Sequence, residues 1–319
     1  MSLTLVHYES ENGPAWAVVS HGEALPLPGD FPTTAAVLSD GAKLARDLLA
    51  DPTGVTPLPL ASLQVLNPIT RPCRVVAQGA NFRTHLLENK MDPNRSFNVF
   101  FTKSTASLSG PNDDIVRPSN VKLLDYEVEL GIVLGKAITG PVTITPENLP
   151  DYVGAFVVAN DVSARDIQLP ENQWYKGKSY RTFLPTGPYL VVPDASEVAL
   201  WSRLRLRLEV NGEVRQNELA SDMLFGPAET LTELSLIEDL DPGDLLITGT
   251  PSGVALELPS ARAQRVAGLL PEDVRWKLFI KSQLKAPGYL KPGDLVTTSI
   301  RTDDGALDLG TQRNAVTAG

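Results

Sequence analysis

Along Asp125–Leu134, apolar residues fall at every second position. Tyr126, Val128, Leu130, Ile132 and Leu134 share one side, the period that marks a strand with a buried face. Glu127 and Glu129 then share the other side, about 6.6 Å apart along the strand. Gly131 and Val133 continue that second side, which is not the pattern of a solvated face. A second apolar run, Val153–Ala159, has no alternation and predicts a strand buried on both faces; it leads directly into Asn160 and Asp161.

The remaining pattern predicts many short strands and few long helices. Ser2–His7 and Ala15–Val19 read as strands around the turn Glu11-Asn12-Gly13, and Thr33–Ala50 has helical spacing. Pro57 and Pro59 then give an extended connector. Residues 1–70 are therefore expected to form a small N-terminal cap unit, and 71–319 a larger domain. Within the latter, strands are expected at Val75–Gln78, Val99–Lys103 and Tyr189–Val192. A hairpin is expected at Leu204–Val210 and Glu213–Gln216 around Asn211-Gly212, and a helix from Pro227 to Leu240. Pro-Gly-Asp-Leu occurs twice, at 242–245 and 292–295, each time as a turn before a strand. Ala263–Leu270 and Glu272–Leu284 have helical spacing, which suits packing on the core, shielding of a site or a subunit contact.

Composition narrows the function. The chain has 319 residues, 42% hydrophobic and 21% charged, as in an ordinary globular protein. A net charge of −10 argues against a general binder of nucleic acid or anionic membranes. Cys73 is the single cysteine, so no internal disulfide forms, which fits a cytoplasmic location. The N-terminus lacks the pattern of a secretory signal, and no apolar run approaches the roughly 20 residues of a membrane helix.

Candidate chemistry centres on acids. A Glu-x-Glu strand is by default the wet side of a half-buried sheet. Asp161 at the end of a buried strand changes the balance: three carboxylates without nearby Cys or His suit Mg²⁺, Mn²⁺ or Ca²⁺ rather than zinc. His85 and Glu88 lie three apart on a short expected helix and share a face, a general-base pair in outline. The same spacing also occurs as a plain surface pair. The polar segment 89–98 that follows reads as a surface loop or a lid. Thr248-Gly249-Thr250-Pro251-Ser252-Gly253 follows an expected strand, and backbone N–H groups there suit an anion or an oxyanion.

In this order, these motifs resemble the fumarylacetoacetate hydrolase family from about Val75 to Val316. The resemblance rests on Asn81–Glu88, Asp125–Leu130, Asn160–Gln168, Gly177-Lys178-Ser179, Asn211-Gly212-Glu213, and Pro242-Gly243-Asp244 with Thr248–Pro251. It implies an α+β, mainly β fold: a mixed β-sandwich roll, usually dimeric, behind the small N-terminal unit. It implies Mg²⁺, Mn²⁺ or Ca²⁺ on Glu127, Glu129 and Asp161, and a base dyad of His85 and Glu88. Gln168, Lys178 and Thr250 match substrate-contacting positions, with Gly249 beside them. Two departures stand out. Phe82 replaces a frequent Tyr, and the 257–290 stretch is longer than the usual link.

The resemblance implies an enzyme acting on a small anionic 2-oxo acid, as a homodimer without nucleic-acid or membrane partners. The leading expectation is hydrolysis of a carbon–carbon bond in a 1,3-dicarbonyl acid such as an acylpyruvate, with His85 activating water and Lys178 steadying negative charge. Decarboxylation or tautomerisation of a 2-oxo acid would use the same metal-bound enolate. A non-enzymatic metal-binding scaffold is the remaining alternative, and the complete set of His, acids and Lys argues against it.

Overall fold

The computed structural model describes residues 2–259, 265 and 267–319. Ten strands form one mixed sheet. Its order is Leu58–Pro59, Glu23–Pro26, Gly13–Ser20, Leu3–Ser10, Tyr189–Val192, Val153–Asn160, Val128–Leu134, Leu245–Ile247, Val75–Gln78 and Phe100–Thr102. Neighbours run antiparallel except Leu245–Ile247 with Val75–Gln78, which are parallel. A second sheet of five strands has the order Glu213–Leu219, Leu204–Val210, Leu295–Thr302, Asp308–Ala318 and Ile115–Arg117.

Alternation decides what each face of the long sheet buries. Leu130, Ile132, Phe156 and Val158 pack with Leu206, Leu208, Val296 and Ile300 of the second sheet. On the other face, Val133, Val157 and Leu245 join a separate apolar cluster with Leu5, Val18 and Ala45. Both faces of the central strands are therefore dry, and all seven residues of Val128–Leu134 are buried. This is why Gly131 and Val133 break the expected polar side: that side faces a second core. The fold is mainly β with short helices, as expected.

The leading segment does not stand apart from this sheet. Leu3–Val6 pair with Tyr189–Val192, so the strands expected in a unit over 1–70 extend the main sheet. The helical pattern of Thr33–Ala50 is realised as Thr34–Ala36, a π-helical turn at Val37–Gly41, and Ala42–Ala50. Thr33 caps it by accepting the Ala36 N–H at 3.1 Å. The predicted hairpin forms around Asn211 and Gly212, both with the positive φ of a type I′ turn. The two Pro-Gly-Asp turns close alike: Asp244 accepts the Asp241 N–H and Asp294 the Lys291 N–H.

Three elements differ from their sequence pattern. The strand expected over Asp125–Leu134 is split. Leu124–Asp125 pairs with Ser163–Ala164, and the long strand begins only at Val128. The helix from Pro227 stops at Leu234, ahead of the exposed Leu236 and Ile237. Of the late helical stretch, Glu272–Gln283 is a helix, while the segment Ala263–Leu270 falls partly outside the described residues. Among the described residues, no helix is long and apolar enough to cross a membrane.

Candidate active site

Adjacent strand ends assemble the acids. Val128 pairs with Asn160, so Glu127 and Asp161 lie just beyond the ladder on neighbouring chains. The Asp161 N–H donates to Glu127 O at 2.8 Å, and the Glu127 N–H to Asn160 Oδ1 at 3.0 Å. Glu129 lies one ladder position in, and its carboxylate accepts the Gly249 N–H at 2.8 Å from the end of Leu245–Ile247. Carboxylate oxygens of Glu127, Glu129 and Asp161 all come within 4.8 Å of one another, and all three residues are buried.

Three buried cations answer these acids, and sequence reasoning had given a role to only one. Lys178 Nζ donates to Glu127 and Asp161, both at 2.7 Å. Lys103 Nζ also bonds Asp161, and reaches Phe183 O at 2.9 Å. Arg165 donates to Asp125 at 2.8 Å, Glu127 at 2.5 Å and Gln168 Oε1 at 2.9 Å. The sequence signal for Arg165 was its place inside the Asn160–Gln168 motif. Asp125 likewise opens the Asp125–Leu130 motif, whereas no local signal distinguished Lys103 from a solvated charge.

These charges set the state of each acid. Burial alone would raise Glu127, but Lys178 and Arg165 overcome it and hold the carboxyl at about 2. At Glu129 the Lys178 charge and the Gly249 N–H are outweighed. Burial, then the neighbouring Asp161 and Glu127, push its carboxyl well above the usual range. A buried acid between two acids requires a proton or a cation. The all-oxygen donor set, with Glu129 lacking a cationic partner of its own, fits a hard divalent ion such as Mg²⁺, Mn²⁺ or Ca²⁺.

His85 lies on the helix Arg83–Glu88 and lines a cleft of about 170 Å³ together with Glu127, Arg165, Gln168 and Lys178. Burial pulls its imidazole down to about 4, partly offset by Glu127, so the ring is neutral near pH 7. Among the described residues, its buried Nδ1 has no hydrogen-bond partner, and Nε2 has only a long 3.3 Å contact to Asn89 Nδ2. The expected His85–Glu88 pair does not form. The Glu88 carboxylate turns instead to the Gly253 N–H, at 3.0 and 3.2 Å. Gly253 has φ +99°, and a Cβ there would lie 2.0 Å from Arg215 O, so only glycine presents that N–H.

Of the expected substrate-contacting residues, Gln168, Lys178 and Thr250 line the same cleft, with different freedom. Lys178 is brought in by the short helix Trp174–Lys178, which packs on Gln168 through Gly177. The Thr250 hydroxyl is engaged in structure, donating to Val128 O at 2.9 Å and accepting from Gln216 at 2.8 Å. Gly249 spends its N–H on Glu129. Apolar side chains of Met91, Phe101 and Trp174 form the opposite wall. Phe82 is fully buried and belongs to the core rather than to this wall.

The chain is 39% identical to the mitochondrial oxaloacetate tautomerase FAHD2A of Bos taurus over 201 residues. That match covers 62% of this chain and 62% of the cattle protein, less than two thirds of its length. It is 35% identical to the 2,4-didehydro-3-deoxy-L-rhamnonate hydrolase of Sphingomonas sp. (strain SKA58), over 76% of this chain and 73% of that one. The fold is similar to that of a fumarylacetoacetate hydrolase from Exiguobacterium antarcticum, with TM-score 0.76, 28% identity and coverage of 99% and 100%. A 2-hydroxyhepta-2,4-diene-1,7-dioate isomerase from Mycobacterium marinum gives TM-score 0.69 at 26% identity, with coverage of 99% and 98%. Residues 74–317 match the fumarylacetoacetate (FAA) hydrolase C-terminal family, and the chain belongs to the fumarylacetoacetate hydrolase family.

Proposed function

We propose that this chain is a divalent-metal-dependent hydrolase that cleaves the carbon–carbon bond of an acylpyruvate-like 1,3-dicarbonyl acid. The observation that carries the reading is a neutral His85, its Nδ1 without a hydrogen-bond partner among the described residues, lining one cleft with Glu127 of the buried acid triad. Glu127, Glu129 and Asp161 would hold a divalent ion, which would supply Lewis-acid polarisation of the 2-oxo acid's oxygens. His85 accepts a proton from water as the water oxygen bonds to the acyl carbonyl carbon. The bond from that carbon to C3 then breaks, and its electron pair passes to the pyruvate fragment. The proton on His85 returns at C3, giving pyruvate and a carboxylic acid. Lys178 and Arg165 offer positive charge beside the fragment as it becomes an enolate.

A second reading, tautomerisation of a 2-oxo acid such as oxaloacetate, is favoured by the turn of Glu88 away from His85. Moving a proton between C3 and an enol oxygen needs one base and no activated water. Loss of enol absorbance and formation of pyruvate, followed with acetylpyruvate and with oxaloacetate, separate the readings. Pyruvate from acetylpyruvate that stops on chelation supports the hydrolase. Enol–keto conversion of oxaloacetate without pyruvate supports the tautomerase, and pyruvate from oxaloacetate alone a decarboxylase. His85→Ala should lower kcat by about 10²–10⁴ with Mn²⁺ affinity intact, and unchanged turnover would remove His85 as the base.

A further inference from the structure

The cleft around His85 does not end at its apolar wall. Leu169 and Leu258 line it and also line a second, larger chamber of about 580 Å³. The far side of that chamber is Leu270, Trp276, Leu278 and Phe279, from the helix Glu272–Gln283 and the turn before it. Trp276 and Phe279 meet edge to face at 5.7 Å. This is the stretch in which the chain is longer than the resemblance leads one to expect.

Size separates the two spaces. A cavity of roughly 150 Å³ admits a benzene-sized group. At about 170 Å³, the inner cleft has room for the head of a 2-oxo acid and little more. The outer chamber falls in the range of pockets that enclose whole ligands.

The partition between them is anchored at both ends. Asp125, the partner of Arg165, accepts the N–H groups of Ala255 and Leu256 at 2.8 and 3.1 Å. On the outer side, Gln283 at the end of the helix donates to Glu257 O at 2.8 Å, and Tyr289 donates to Gln283 at 2.7 Å. The segment that joins cleft to chamber is thus tied to the acid–cation network and to the helix alike.

We propose that the outer chamber is the subsite for the acyl tail, and that the substrate is a 2-oxo acid with a long apolar or aromatic distal group. The inference rests on the hydrolase reading for the head group and adds the chemistry of the tail. A distal carboxylate fits less well. Among the described residues that line it, Arg275 is the one cation, and it already pairs with Glu272 at 3.8 Å and covers the Trp276 ring.

Calorimetry on the full Mn²⁺-loaded chain tests it, using straight-chain 2-oxo acids from pyruvate to 2-oxodecanoate. These lack the second carbonyl and are not cleaved, so binding is read apart from turnover. Affinity should rise by up to about fourfold for each methylene that enters the chamber. Ser282→Trp fills the chamber at a residue whose hydroxyl makes only a local bond to Phe279 O. It should remove at least ten-fold of the gain for 2-oxodecanoate and leave pyruvate affinity unchanged. Leu270→Trp is the second filling variant, and melting curves identify a chain that has failed to fold. Equal affinity along the series overturns the subsite while the hydrolase reading stands. No binding by any 2-oxo acid overturns both. Octanoate binding as tightly as 2-oxooctanoate, or 2-oxononanedioate binding more tightly than 2-oxononanoate, also overturns the proposal.

Discussion

Among single residues, Glu129 is under the greatest electrostatic load. Its carboxylate is buried, takes one N–H from Gly249, and faces Asp161 and Glu127, while Lys178 and Arg165 are spent on those neighbours. Glu129→Gln keeps the shape and removes the ligand charge. Loss of outer partners alone costs metal sites about 10–100-fold in affinity, so this variant should weaken Mn²⁺ binding by at least about 100-fold. Its melting temperature without metal should not fall, because a buried acid among acids has been removed. Calorimetric affinity equal to wild type would take Glu129 out of the site. His7 carries a different prediction. Its ring stacks on Trp16 and its Nδ1 donates to Asn67 O at 2.7 Å, while burial lowers its pKa from the ordinary value, partly offset by Asn67 and Glu9. The unfolded chain therefore takes the proton first, near pH 6.5. Below that pH the unfolded state binds more protons, and stability falls as pH drops toward the folded pKa. His7→Gln should flatten the pH dependence of unfolding just below pH 6.5, by at most the single-proton slope of about 1.4 kcal/mol per pH unit. Identical slopes in the two proteins would remove His7 as a source.

At the level of elements, local pattern and long-range contact part company. The strands Val75–Gln78 and Leu204–Val210, the Asn211-Gly212 turn and the Glu-x-Glu strand were legible because alternation and turn chemistry are local. The bend after Asp125 was not, because its cause is tertiary: Arg165, Ala255 and Leu256 all compete for the Asp125 carboxylate. The ion pairs of Lys103 and Arg165 were not legible, since their partners lie 58 and 38–40 residues away. Glu88 was assigned to His85 by helical spacing, but a backbone N–H from residue 253 attracts it more. Gly177 shows how an element places a functional group. A Cβ there would lie 2.6 Å from Gln168 Cβ and 2.8–2.9 Å from its backbone, so Gly177→Ala must push the Lys178 helix away from the site. We expect about 1–3 kcal/mol of destabilisation from overpacking, and a fall in kcat/KM on the order of 10- to 100-fold from the displaced Lys178. Wild-type activity with a lowered melting temperature would show that Lys178 does not need this exact seat.

For the whole molecule, the test is whether residues 71–319 fold without the leading segment. Sequence composition sets residues 1–70 apart, since no candidate chemistry lies in them, and the family match begins at residue 74. The hydrogen bonds run the other way. Tyr189–Val192 is flanked by Leu3–Ser10 on one side and Val153–Asn160 on the other, an order that joins strands distant in sequence and that no local pattern reveals. Leu5, Val18, Leu25 and Val37 share a cluster with Val133, Val157 and Leu245, on the side of the Val128–Leu134 strand that also carries Glu129. Thr34 bonds Pro68 O and Thr70, fastening the leading helix to the connector. Each large apolar side chain returned to water costs about 1.5–3 kcal/mol, and a few such losses reach the 5–15 kcal/mol that holds a typical domain together. The truncated chain would also expose Tyr189–Val192 as an open edge next to bare apolar surface, a template for aggregation. Expression of 71–319 should therefore yield aggregated or molten protein without a cooperative melting transition, and adding residues 1–70 in trans should restore one only if the strand Leu3–Ser10 can re-pair. A monomeric, cooperatively folding 71–319 with unchanged Mn²⁺ affinity would establish the leading residues as a separable cap, with the sheet face they cover stable without them.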